Sequence, residues 1–345
     1  MSGGYKDYWD FFAQDALKSG SVLYSRLAAG IGKDEELKTL AARAKIGQPH
    51  ANLILAAVHF LFLRGADDPL KRFYPSVGGT ASPDGEDPFP GFKALVRKHL
   101  AQIQPLIETR VTNTNEVGRS AVLHPAFAVA AKAAAGAPMS LIEIGPSAGL
   151  NLIWDKYGVR YRRDGVAVAV INQAAPLVIE CEARGDTIPP VCSVPPVASR
   201  VGLELNPADL SNADDRDWLR ALIWPDQVSR LERLDRAIAL FAEEKPPIRA
   251  GDALALLPDA LAAVPRDAVP VVYHTIAVYQ FSREMREALE SILTIAGLRR
   301  PVLRVSFEFD GQLYILSLIR YADGTREETR LASCHPHGTW IEWLA

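Results

Sequence analysis

The stretch LIEIGPSAGLNLIWD, residues 141–155, decides how the chain is read. An apolar run ending in an acid (Leu141, Ile142, Glu143, Ile144) meets the small-residue turn Gly145, Pro146, Ser147, Ala148 and Gly149. Apolar residues then resume at helical spacing with Leu150 and Ile153. This order predicts strand, tight turn and helix. Residues with little or no side chain let backbone amides and a helix N-terminus approach a polar or anionic ligand, so the turn is a candidate cofactor site.

Two chemistries compete for these residues. Read as E-x-G-x-S-x-G, the turn resembles the first motif of class I S-adenosylmethionine-dependent methyltransferases, in which an acid ends the first strand and glycines pass under the methionine part of the cofactor. Read as Gly145-x-Ser147-x-Gly149, it matches the nucleophile elbow of α/β-hydrolases, with Ser147 as nucleophile and a possible triad through Asp252 and His335 or His337. An ordinary strand-to-helix turn is the plainest alternative. Such an elbow follows several earlier strands of its sheet, whereas nothing before Leu141 reads as a strand.

Composition narrows the field little. The 345 residues are 48% hydrophobic and 23% charged, with a net charge of -3, which gives no reason to expect nucleic acid or an anionic membrane as a partner. Three cysteines, Cys181, Cys192 and Cys334, form no C-x-x-C pair and are expected to be buried small apolar residues rather than metal ligands. The opening MSGGYKDYWDFF has no basic leader, and no apolar run approaches the roughly 20 residues of a membrane span. A cytoplasmic protein acting on a small molecule is expected; the oligomeric state is not readable.

Apolar residues at three- and four-residue intervals predict helices over 7–18, 21–31, 50–64, 92–109 and 116–135. A helical domain over 1–138 is therefore expected, covering an α/β domain over 139–345. The Gly- and Pro-rich segment 74–90 reads as a surface loop. At 109–121, TRVTNTNEVGRSA gathers Asn113, Asn115, Glu116 and Arg119 before a helix, either as an elaborate N-cap or as a substrate-binding cluster facing the glycine turn. The alternation over 158–198 reads as a β insertion. Further core strands are expected near 201–205, 248–253 and 270–273, with three more runs between 302 and 343.

Acids fall at the ends of these strands. Glu204, with Asn206 in the following turn, stands where nucleotide-binding α/β folds place a ribose-binding carboxylate. Its offset from Gly145, 204 − 145 = 59, exceeds the usual spacing of about 20 and is attributed to the insertion. Asp252 and Ala253 follow the third strand, and His274 ends the fourth. The two imidazoles of His335-Pro336-His337-Gly338 lack a clustered third ligand, so no metal site is expected.

The segments TNTNEVGR, LIEIGPSAGLNLIWDKY, RVGLELNPADL, WLRALIWP, GDAL, VVYHTIAVY and HGTWIEW resemble, over nearly the whole chain, an uncharacterised bacterial family catalogued as a domain of unknown function (number 2332). The resemblance implies a helical cap on a Rossmann-like, methyltransferase-type sheet and brings no activity with it. The expected function is S-adenosylmethionine-dependent methyl transfer to a small polar molecule; a serine hydrolase and a non-catalytic cofactor-binding protein are the alternatives. In this reading Glu143, Gly145 and Gly149 hold the methionine part, Glu204 the ribose and Asp252 the adenine, with Ser147, Asn151, Asn206 and Ala253 as further cofactor-binding residues. Asn113 and Glu116 bind the acceptor, with His274, Asn115 and Arg119 as the catalytic group.

Overall fold

The computed structural model describes residues 8–191 and 193–345. It is a mixed α/β structure dividing into two compact units. The first comprises 1–114 and 209–235, the second 115–208 and 236–345. Asp7, the first residue of the first expected helix, and Cys192 lie outside the described residues.

The regular elements of the first unit are helices α1 (Tyr8–Lys18), α2 (Val22–Ile31), α3 (Glu35–Ala41), α4 (His50–Leu63), α5 (Phe89–Lys98), α6 (Leu100–Thr109) and α8 (Ala213–Ala221), with short 3-10 turns at Pro69–Phe73 and Pro75–Val77. Ser21 caps α2 by accepting from Tyr24 N, and Asp34 caps α3 through Leu37 N. Helix α4 is apolar nearly all round, and ten of its fourteen residues are buried, which makes it the centre of this unit. It packs on α8 through Leu53, Ala56, Trp218, Ala221 and Leu222. The single helix expected over 92–109 is two, because His99, at φ -109° and ψ 23°, leaves helical geometry.

Helix α7 (Ser120–Ala133) belongs to the second unit, not to the helical part expected to run to 138. The reason is packing: Phe127 of α7 stacks on Trp154 at 4.5 Å and meets Tyr273 of a sheet strand edge-on at 5.2 Å. The division of the chain falls inside α9 (Val228–Glu244). The second unit also holds α10 (Ala253–Ala262) and α11 (Arg283–Gly297).

Among the described residues its sheet has eleven strands: β1 (Met139–Ile144), β2 (Gly158–Arg163), β3 (Val166–Ile171), β4 (Val178–Arg184), β5 (Val197–Glu204), β6 (Ile248–Ala250), β7 (Val269–Thr275), β8 (Val302–Phe309), β9 (Tyr314–Ala322), β10 (Thr325–Cys334) and β11 (Trp340–Trp343). Their order is β3-β2-β4-β11-β10-β9-β8-β7-β1-β5-β6, and six of the ten pairings are parallel. Central strand β1 is buried along its whole length, as an apolar strand covered on both faces must be. Ile142 and Ile144 face α10 and α11 through Leu257, Leu289 and Leu293. The segment expected to be a β insertion continues the same sheet, β4 pairing in parallel with β11 at the far end.

The glycine turn departs from expectation. Gly149, at φ 84°, leads into a 3-10 segment, Leu150–Lys156, kinked at Ile153, where an α-helix was predicted. Tyr157 OH bonds back to Leu150 O at 2.8 Å and Arg200 Nη1 to Leu152 O at 2.7 Å, so these carbonyls turn to side chains instead of a helical ladder. No α-helix follows the turn directly. Removing the ring that joins α7 to the sheet, Phe127→Ala, should lower the unfolding free energy by about 3–5 kcal/mol. Urea denaturation measures this, and a loss below about 1 kcal/mol would show that α7 does not pack as described.

Candidate functional site

The strand order reverses at β1, which has β5 on one side and β7 on the other. In open α/β sheets a crevice opens outside the carboxyl ends of the strands at such a reversal. The turn after β1 lies here. Gly145 (φ 69°), Ser147 (φ 57°) and Gly149 (φ 84°) are left-handed, and for Ser147 that conformation costs about 1–2 kcal/mol. A side chain on Gly145 would put its Cβ 2.8 Å from that of Ala277 after β7, so the two loops pass in close contact.

Most amides of this turn are already committed. Gly145 N donates to Leu203 O (3.0 Å), Ser147 N to Glu204 Oε2 (2.8 Å), Gly149 N to Pro146 O (2.8 Å) and Leu150 N to Asn115 Oδ1 (2.8 Å). Glu204, at the end of β5 and 9% exposed, also takes Asn206 N on Oε1 at 3.1 Å. Two further lone pairs remain on its carboxylate.

Glu143, next to last in β1, is 1% exposed. Tyr273 OH lies 3.0 Å from its Oε2 and 3.2 Å from Asn151 O. Burial pushes this carboxyl up to about 8, against the hydrogen bond from Tyr273, and the charge of Glu204 adds to the rise. Glu143 is therefore a neutral acid at pH 7. Asn151 is held by Ser120 Oγ, which donates to its Oδ1 at 2.9 Å, and its Nδ2 lies 3.4 Å from Glu116 O.

The polar cluster divides. Thr112 donates from both N and Oγ1 to Gln48 Oε1 within the first unit, to which Asn113 also belongs. Asn115, Glu116 and Arg119 lie with the glycine turn: Asn115 caps Leu150 N, Glu116 Oε1 accepts Gly118 N at 2.9 Å, and Arg119 donates to Thr275 O (2.7 Å) and Pro336 O (2.9 Å). These side chains clamp backbone at the ends of β1, β7 and β10.

His274 does not face this mouth. It is fully buried; its Nδ1 lies 2.6 Å from Glu308 Oε1, and its Nε2 lies 3.0 Å from Arg304 Nε, which in turn pairs with Glu290. Since Arg304 only donates, the ring is neutral with its proton on Nδ1. Burial lowers its pKa, and the Arg304 charge lowers it further. The role of catalytic group facing an acceptor is thus corrected: both nitrogens are used inside the fold. Glu308, which the sequence reading passed over, also accepts Ala277 N (2.9 Å), Val278 N (3.0 Å) and Tyr279 N (3.3 Å), and Ile276 stands at φ 52°, a strained conformation for a β-branched residue. Burial would raise the Glu308 carboxyl, but His274 and these amides hold it below the usual carboxylate range.

Asp252 is exposed and caps α10 through Leu254 N (2.9 Å), with Ala253 opening that helix. Ser147 is buried. His335 and His337 face each other at 5.3 Å. Among the described residues no group of three or more His, Cys, Asp or Glu side chains could hold a metal, and no helix is long and apolar enough to cross a membrane. Cys181 and Cys334 are buried free thiols. A groove lined by Val170, Ile171, Asn172, Val191, Ser193 and Val194 lies on terminal strand β3, eight strands from β1, and has none of this chemistry.

Residues 7–343 match the family described as an uncharacterised protein conserved in bacteria (DUF2332), and the chain belongs to it. No curated protein and no solved structure matches the chain.

The neutral Glu143 has a measurable consequence. The folded state keeps a proton that the unfolded chain releases near pH 4.5, so this group's stabilisation is full below about 4.5 and is lost as pH rises to about 8. Glu143→Gln, which still accepts from Tyr273, should match the wild type near pH 4.5 and exceed it at pH 9 by on the order of a few kcal/mol. Melting curves at the two pH values test this; a variant whose stability relative to the wild type is the same at pH 9 as at pH 4.5 would show that the fold does not raise this carboxyl.

Proposed function

We propose that the mouth at the ends of β1, β5 and β6 binds S-adenosylmethionine and that the protein transfers its methyl group to a small polar molecule. One observation carries the reading: the turn's amides are spent on Leu203 O, Glu204, Pro146 O and Asn115, while three acids, Glu143, Glu204 and Asp252, lie at or just beyond the ends of adjacent strands. A turn whose amides are mostly committed, and without a following α-helix, has little to offer a phosphate. Carboxylates in its place favour a ligand that is cationic and hydroxylated and carries no phosphate. A sulfonium nucleoside has that chemistry, and a dinucleotide does not.

The order β6-β5-β1-β7-β8 supports the same reading, because in chain order these are the third, second, first, fourth and fifth strands of a Rossmann-like core. The residues present fit the cofactor. Glu204 has lone pairs left for a ribose diol, and exposed Gly145 leaves the floor of the mouth bare where a Cβ would close on Ala277. Glu143, neutral and held by Tyr273, sets the polarity under the methionine part; Asp252 is placed for the adenine amino group. S-adenosylmethionine supplies the electrophilic methyl group. Asn115 and Arg119 position the loops around the acceptor, and alignment of the two reactants is sufficient for transfer without a dedicated base.

A cofactor at 100 times its dissociation constant should add about 2.7 kcal/mol of stability. S-adenosylmethionine and S-adenosylhomocysteine should therefore raise Tm by several degrees, NAD and ATP should not, and Glu204→Ala should abolish the shift. A flat response to both sulfur nucleosides, or a shift with NAD alone, would contradict the proposal.

A further inference from the structure

The two ends of the sheet are finished differently. At one end β6 has three residues, one of them Arg249, and a short charged strand is a poor template for further pairing. At the other end β3 reads VAVAVI, six apolar residues of which four are β-branched, with no charge, proline or glycine to guard it. Among the described residues β3 pairs with β2 alone, so the backbone N–H and C=O groups along its outer side have no strand to bond. Its side chains are open as well: Val166 is 66% and Val170 37% exposed. Beside residues 170–172 lies the groove that Val191, Ser193 and Val194 complete.

A free apolar edge of this length is a template for one more strand. We infer that β3 pairs antiparallel with β3 of a second copy of the chain, forming a dimer in which the two sheets run on as one. The pattern of the strand itself selects that partner. A two-fold axis normal to the sheet makes the pair antiparallel and keeps every residue on its own face, so residues an even number apart meet. With the axis at Val168, that residue stands opposite its own copy, Ala167 opposite Ala169 and Val166 opposite Val170. Val166, Val168 and Val170 share one face, so six valines come together there, while small alanines meet on the other. Just beyond the strand Asp164 comes opposite Asn172, and no like charges oppose each other. The same register sets Val166 and the turn before it against residues 170–172 of the other copy, which border the groove. Since each chain has one edge of this kind, the pairing uses both and closes at two chains. The seam lies eight strands from β1, so the dimer forms with or without a cofactor.

Sedimentation velocity on the full-length chain should give twice its 37.6 kDa at concentrations on the order of 100 µM. Val168→Lys and Val168→Glu each set two like charges opposite each other at the axis, and each should weaken association about tenfold or more and shift the protein to monomer. An equal mixture of the two variants should restore the dimer, because opposite charges then meet, a recovery that misfolding cannot mimic. Should the Val168 variants fail to fold, Val166→Lys, at an exposed position, puts a charge into the seam and should likewise give monomer. A wild type that stays monomeric, a dimer that the charged variants keep, a mixture that stays monomeric, or assembly that grows beyond two chains would each overturn the inference.

Discussion

A carboxylate from the neighbouring strand ties each of the two loops at the centre of the sheet. Glu204 of β5 holds the turn after β1 through Ser147 N, and Glu308 of β8 holds the loop after β7 through Ala277, Val278 and Tyr279 N. Hydrogen bonds to a charged acceptor contribute about 1.5–3 kcal/mol each, enough to keep Ser147 and Ile276 in left-handed conformations that neither would adopt alone. The close approach of Gly145 to Ala277 follows, since both loops are drawn down onto the strand ends. Arg119 then closes the arrangement from outside by donating to carbonyls at the ends of β7 and β10.

This device sets what the site offers a ligand. Glycine-rich turns at strand ends usually present free amides to phosphate. Here most of those donors are taken up by the protein's own acceptors, Glu204 among them. The second buried acid, Glu143, is neutralised by burial and meets the Tyr273 phenol inside the fold.

Much of the sheet was legible in the sequence because its central strands are apolar runs that end in polar residues. LIEI, VGLELN and VVYHT mark β1, β5 and β7, and the acids after them fall at strand ends. Three things were not legible. The helical period of Leu150 and Ile153 suggested a helix, but hydrogen bonds from Tyr157 and Arg200 compete for its carbonyls. The place of β2, β3 and β4 at the far end of the same sheet depends on pairing with β11, more than 150 residues later in the chain for each strand. His274 read as a terminal polar residue on a strand, and only its partners Glu308 and Arg304, supplied by β8, show that it points into the fold. Tyr273 was hidden for the same reason: within an apolar strand nothing distinguishes a phenol that meets an acid from one that only packs.

The central claim is that the turn after β1, tied by Glu204, is where a phosphate-free nucleoside binds. Hydrogen–deuterium exchange with and without saturating S-adenosylhomocysteine tests it most directly. The account predicts slower exchange in 144–150 and 204–206, with 166–171 on the far edge strand unchanged. Unchanged exchange across 144–150 and 204–206, at a concentration where the ligand is bound elsewhere or not at all, would contradict it.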